Sequence, residues 1–152
     1  MIETVNVNKT IVLPVEMAWI AISQIDGLDR WFPVISACKV IGNGEGATRI
    51  LTLATGEQIT DKIESIDHRR RRFQYNRIES PFPVSHYFGT VDAHDLGNGN
   101  TQISWKVESD VSADQRDELA SFLKKALAEG ITGLEQDLQP SIASTSAQEV
   151  SP

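Results

Sequence analysis

Cysteine is almost absent from this chain. Only Cys38 carries a thiol among 152 residues, so no disulfide can form within it and no zinc-finger spacing exists. Basic residues are also scarce, with 14 Lys and Arg against 21 Asp and Glu, a net charge of -7. A chain of that sign has no general field to draw phosphate backbones or anionic lipid, so neither nucleic acid nor a membrane is an expected partner. Long apolar runs are lacking too, and none approaches the ~18 residues of a membrane-spanning helix. The opening Met1-Ile2-Glu3-Thr4-Val5-Asn6 has neither the basic nor the apolar region of a secretory signal, and a cytoplasmic location is expected. What is present is near the globular average, at 40% hydrophobic and 23% charged. The length suits one domain that buries about two thirds of its unfolded surface.

From Gln139 the chain turns small and polar, Gln-Pro-Ser-Ile-Ala-Ser-Thr-Ser-Ala-Gln-Glu-Val-Ser-Pro. Such a segment cannot offset its ordering entropy by apolar burial. A domain over residues 1–138 and a disordered tail over 139–152 are therefore expected. Within the domain, Thr4 to Leu13 reads as a strand. Pro14-Val15-Glu16 opens a helix whose shared face is Met17, Ile20, Ala21 and Ile25, and Leu28 to Phe32 is one more helical turn. Strands follow near residues 36–41, 47–53, 57–66, 70–79, 85–94 and 101–110. Ala113 to Leu138 carries Leu119, Phe122, Leu123, Ala126, Leu127, Gly130, Leu134 and Leu138 at helical spacing.

Turn chemistry assigns register. Leu53 and Glu57 flank Ala54-Thr55-Gly56, a type I turn with a bulge, which sets Arg49 opposite Asp61. A turn at Asp67-His68-Arg69 sets Ile63 against Phe73 and Asp61 against Tyr75. The Gly97-Asn98-Gly99 turn sets Gly89 against Trp105 and Val91 against Ile103. Odd-numbered residues then form one apolar face, from Leu51 and Ile59 through Phe73, Tyr75, Tyr87 and Val91 to Trp105 and Val107. Even-numbered ones, such as Lys62, Gln74 and Lys106, face solvent. The fold class is α+β: a seven-stranded antiparallel sheet curled around a long C-terminal helix.

Arg49 and Asp61 fall on the apolar face, where burial is tolerable only if they pair. They form either a cross-strand ion pair that fixes register or a functional pair, in which Arg49 holds an oxygen while Asp61 moves a proton. Tyr75, Tyr87 and Trp105 bring polar tips to the same wall. Gly89 and Gly130 face each other from sheet and helix, and glycine inside an element marks close approach, so a cavity is expected between them, the alternative being that Tyr75 or Trp105 fills the space. The basic run Arg69 to Arg72 begins at a turn and reads as solvated. His68, His86 and His94 lack metal-ligand spacing on the inner face, and Cys38 reads as a small apolar residue.

Several pieces together resemble one superfamily: Pro14-Val15-Glu16-Met17-Ala18-Trp19, Gly27-Leu28-Asp29-Arg30-Trp31-Phe32-Pro33, Gly46-Ala47-Thr48-Arg49, Asp61-Lys62-Ile63-Glu64 and Tyr87-Phe88-Gly89-Thr90. Over about residues 2–138 the chain resembles the START-like, polyketide-cyclase-like (SRPBCC) proteins, with motifs nearest bacterial polyketide-cyclase-like members and plant lachrymatory factor synthase. The resemblance implies a helix-grip fold with an internal cavity. It also implies Arg49 and Asp61 at the positions of that synthase's catalytic Arg and Glu. In related plant hormone receptors the loop matching Pro81-Phe82-Pro83-Val84 and the turn at 54–57 close over the cavity mouth. The alternatives for Phe82 are an ordinary loop or a homodimer contact. The expected function is binding of a small hydrophobic or amphipathic molecule without cofactor or metal. Its expected contacts are Trp31, Arg49, Asp61, Tyr75, Phe82, Tyr87, Gly89, Trp105, Phe122 and Gly130. The alternatives are a cofactor-independent cyclase, isomerase or lyase, and a protein-interaction module.

Overall fold

A computed structural model describes residues 2–82 and 84–139 in full. The tail expected over 139–152 lies outside these described residues, apart from Gln139. The elements run β1 (Ile2–Ile11), α1 (Val15–Ser23), α2 (Leu28–Trp31), β2 (Ile35–Ile41), β3 (Thr48–Leu53), β4 (Gln58–Asp67), β5 (Arg72–Glu79), β6 (His86–Gly97), β7 (Asn100–Asp110) and α3 (Arg116–Val150). Every strand pairs antiparallel, in the order β1-β7-β6-β5-β4-β3-β2. The curved sheet gives one face to α3, as the helix-grip reading expects.

Strand parity explains which side chains point inward. Leu51, Ile63, Val91, Ile103 and Val107 are at most 1% exposed, and each such burial contributes about 1.5–3 kcal/mol. On α3 the buried stripe is Leu123, Leu127, Ile131 and Leu134, at helical spacing. Two α3 glycines let α2 approach: a Cβ at Gly130 would overlap the Phe32 ring, and one at Gly133 would overlap the Trp31 backbone. The junction is also tied by Asp137, which accepts from the Trp31 indole (3.0 Å) and from Arg30 Nε (3.2 Å).

Three details differ from the sequence reading. The buried face of α1 is Val15, Ala18, Trp19 and Ile22, whereas Ile20 is exposed. The helix is rotated so that the Trp19 indole donates to His68 Nδ1 (3.1 Å), holding α1 to the β4–β5 hairpin. In that hairpin the turn comes later than expected. Asp67 Oδ1 accepts from the Arg69 and Arg70 backbone, Arg71 takes a positive φ of 54°, and Asp67 pairs with Arg72. With bulges in the ladder, Ile63 meets Tyr75 and Asp61 meets Arg77, not Tyr75. The β6–β7 turn is tighter than expected: Asn98 and Gly99 both have positive φ, the two-residue turn that matches strand twist. With a bulge between Asp95 and Gly97, Gly89 faces Val107, and Val91 faces Trp105. Both shifts preserve the inward parity of these residues. The β3–β4 hairpin has the expected register, with Arg49 opposite Asp61, and Gly56 at φ 94° in its turn.

Candidate functional site

Between the sheet and α3 lies an apolar cavity of about 60 Å³. Its sheet wall is Leu51, Leu53, Ile59, Tyr75, Arg77, Tyr87 and Trp105. Leu28, Phe32 and Ile35 close one end, and Leu119, Phe122, Leu123, Ala126 and Leu127 of α3 cover it. At the other end the β5–β6 loop brings Phe82 against Phe122, with ring centroids 5.6 Å apart. The same two rings, with Leu119, also border an outer groove of about 260 Å³ that Gln115 and Glu118 complete. Phe122 is 41% exposed although it belongs to the helix's apolar stripe, as a mouth residue would be.

Behind this wall sits a buried charge cluster built by three neighbouring strands. Arg49 on β3 donates to Asp61 Oδ2 from Nε (3.2 Å) and Nη2 (3.0 Å), and from Nη1 to the Ile25 carbonyl (3.0 Å). Arg77 on β5 donates to the other side of the same carboxylate, Nε to Oδ1 at 2.8 Å and Nη2 to Oδ2 at 3.3 Å. Exposure of these side chains is 2% for Arg49, 0% for Asp61 and 9% for Arg77. Burial by itself would raise the Asp61 carboxyl pKa. The charges and hydrogen bonds of Arg77 and Arg49 outweigh it and hold that pKa below the usual carboxylate range. Burial likewise opposes the charge on Arg77, but the Asp61 carboxylate prevails and the guanidinium pKa is raised.

Aromatic rings enclose the cluster. The Arg49 guanidinium lies 4.9 Å from the Tyr75 ring centre, and that of Arg77 lies 4.2 Å from Tyr87 and 5.6 Å from Tyr75. The Tyr75 hydroxyl accepts from the Trp105 indole at 3.1 Å. Burial, followed by the nearby Tyr75 phenol, pushes the Tyr87 pKa far up against the pull of Arg77, so this phenol stays neutral.

The residues singled out from sequence thus separate into three groups. Tyr75, Tyr87, Trp105, Phe82 and Phe122 line the cavity. Arg49 and Asp61 form the salt bridge but stand behind Tyr75 rather than among the lining side chains. Trp31, Gly89 and Gly130 line none of it. Trp31 borders a separate groove between α2 and α3. A Cβ at Gly89 would overlap the Tyr75 ring, so both glycines make room for aromatic rings of the core, Tyr75 and Phe32, instead of a ligand. Arg77 was missed. Its signal was parity: residue 77 continues the inward series of Phe73 and Tyr75 on β5, an arginine on an otherwise apolar face. Burial pushes the Cys38 thiol pKa up, so it is not an activated nucleophile.

Comparison with known proteins places this architecture. No curated protein matches the sequence. Among solved structures, an uncharacterized protein from Bacillus thuringiensis superimposes with a TM-score of 0.80 at 21% identity, over 90% of this chain and 99% of its own. XoxI from Bacillus cereus gives 0.80 at 20% identity, over 90% and 95%. Norcoclaurine synthase from Thalictrum flavum, in complex with dopamine and hydroxybenzaldehyde, gives 0.75 at 17% identity, over 92% and 88%. At these identities the likeness is one of fold. The sequence itself matches a family over residues 3–139, and the chain belongs to that family, the polyketide cyclase / dehydrase and lipid transport proteins.

Proposed function

We propose that the protein binds a small hydrophobic or amphipathic molecule in the cavity between sheet and α3. The observation that carries this is the wall itself: a continuous apolar lining interrupted by one charged side chain, Arg77, and a few phenol and indole tips. That is the composition of a small-molecule site, in which apolar contact supplies affinity and a few polar groups fix orientation. The present volume is below the roughly 300–1,000 Å³ of occupied sites, so a ligand enters by parting Phe82 from Phe122 and taking in the outer groove. The norcoclaurine synthase structure of the same fold holds dopamine and hydroxybenzaldehyde, molecules with an aromatic body and polar ends. Binding is favoured over turnover by the state of Asp61. Both of its oxygens are held by guanidiniums, and its depressed pKa keeps it a weak base and a poor acid.

Nile red fluorescence tests this reading. Enhancement by the native protein is expected, and so is its loss in Ala126→Phe, which puts a ring into the lining. No enhancement by the native protein, or equal enhancement by the folded variant, would overturn it. Native mass spectrometry of the purified protein would reveal a retained ligand directly.

A further inference from the structure

We infer that the cavity takes a monoanionic amphipath, with a carboxylate on an aryl or short alkyl body docked against Arg77. This rests on the cavity reading above and adds the chemistry of the ligand's head group. The charge cluster is unbalanced: two guanidiniums, Arg49 and Arg77, share the one carboxylate of Asp61, leaving a single positive charge in excess. Such an excess inside a chain of net charge -7 is a local feature, not a reflection of composition.

The two arginines are not equivalent. All three nitrogens of Arg49 donate to protein acceptors, and the side chain lies behind the wall. Arg77 gives Nε and Nη2 to Asp61, while its Nη1 has no hydrogen-bond acceptor among the described residues. Arg77 is also the one charged residue among the described side chains of the lining. Its plane is held by the Asp61 fork and by the Tyr87 and Tyr75 rings, so the free donor is fixed in position before any ligand arrives. Two guanidiniums on one carboxylate beside an apolar, partly closed space leave the cluster one negative charge short. A carboxylate supplies both the missing charge and the missing acceptor. A neutral alcohol supplies only the acceptor.

The experiment compares 3-phenylpropionate with 3-phenylpropan-1-ol as displacers of Nile red at neutral pH. A charge-assisted hydrogen bond predicts at least about tenfold tighter binding of the carboxylate. The ratio of the two affinities should fall to about one in Arg77→Gln and should largely survive in Arg77→Lys. In the native protein, the Arg77 Nη–H resonances should move more with the carboxylate than with the alcohol, a readout that needs no variant to fold. Equal displacement by the two compounds, an unmoved Arg77 resonance, or a preference that persists in Arg77→Gln would overturn the inference while Nile red binding still upheld the cavity. Failure of Nile red itself to bind would remove both.

Discussion

Removing the Asp61 carboxylate is the most direct perturbation of the buried cluster. In the native protein this side chain is 0% exposed and accepts from two guanidiniums that are themselves 2% and 9% exposed. In Asp61→Ala both cations stay buried without a counter-ion. Breaking one buried pair costs about 3–5 kcal/mol, and here a single carboxylate serves two partners, so the upper part of that range is expected. The loss is a large fraction of the ~5–15 kcal/mol that stabilises an ordinary domain. Arg49→Met should cost less, because Asp61 and Arg77 remain as a balanced pair. The double variant should cost less than the sum of the singles, since one stranded cation is gone. Urea denaturation with unchanged slope measures all three. A loss below about 1 kcal/mol for Asp61→Ala, or strict additivity in the double variant, would refute the claim that burial and pairing are coupled here.

The same group has a pH signature. Its folded pKa lies below the unfolded value near 3.9, because Arg77 and Arg49 outweigh the effect of burial. A depressed carboxyl contributes stability that is fully present above the unfolded pKa and is lost as pH falls through the folded one. Acid sensitivity from Asp61 is therefore expected only below about pH 4. In Asp61→Asn that part of the acid slope should be missing.

Two further outcomes test the packing around the site. Gly133→Ala should destabilise more than Gly130→Ala, because the first collides with Trp31 backbone and the second with a Phe32 ring that can move toward the cavity. Overpacking of about 1–3 kcal/mol against a helix-propensity gain of about 1 puts only the first clearly on the destabilising side, and a larger melting-temperature loss for Gly130→Ala would contradict this. Tyr75→Phe removes the acceptor of the Trp105 indole and should cost about 1–3 kcal/mol in a urea titration, and an unchanged midpoint would contradict it.

Parity and turn chemistry made most of the fold legible. Odd-numbered strand residues such as Leu51, Ile63, Phe73 and Val107 point inward whichever turn is chosen, because a two-residue slip does not change the face. Register was less legible where a turn could close in more than one way. Asp67-His68-Arg69 reads as a complete turn, yet Arg71 at positive φ extends it, and bulges absorb the difference along β4. The consequence was chemical. With Asp61 set against Tyr75, the cluster looked like one pair on the cavity wall. With Asp61 against Arg77, it is a triad whose second arginine reaches the cavity. The glycines were ambiguous for a different reason: sequence shows that a side chain is missing but not what fills the space. At Gly89 and Gly130 that is Tyr75 and Phe32, and only their placement in three dimensions distinguishes a packed ring from a ligand.

A buried triad of this kind is a poor way to gain stability, since well-packed apolar residues of the same volume often do as well or better. Its geometry makes sense when Arg77 is considered as a binding group. An unsupported arginine at a cavity wall has several rotatable bonds, and immobilising such a side chain on binding costs about 0.5–1.5 kcal/mol. Asp61 fixes Arg77 through two hydrogen bonds, and Arg49 fixes Asp61 from the other side while anchoring to the Ile25 carbonyl. Most of the ordering cost is thus met during folding. On the proposed reading, Arg49 and Asp61 are positioning residues, and Nη1 of Arg77, the nitrogen they leave without a protein acceptor, is the group that meets the ligand.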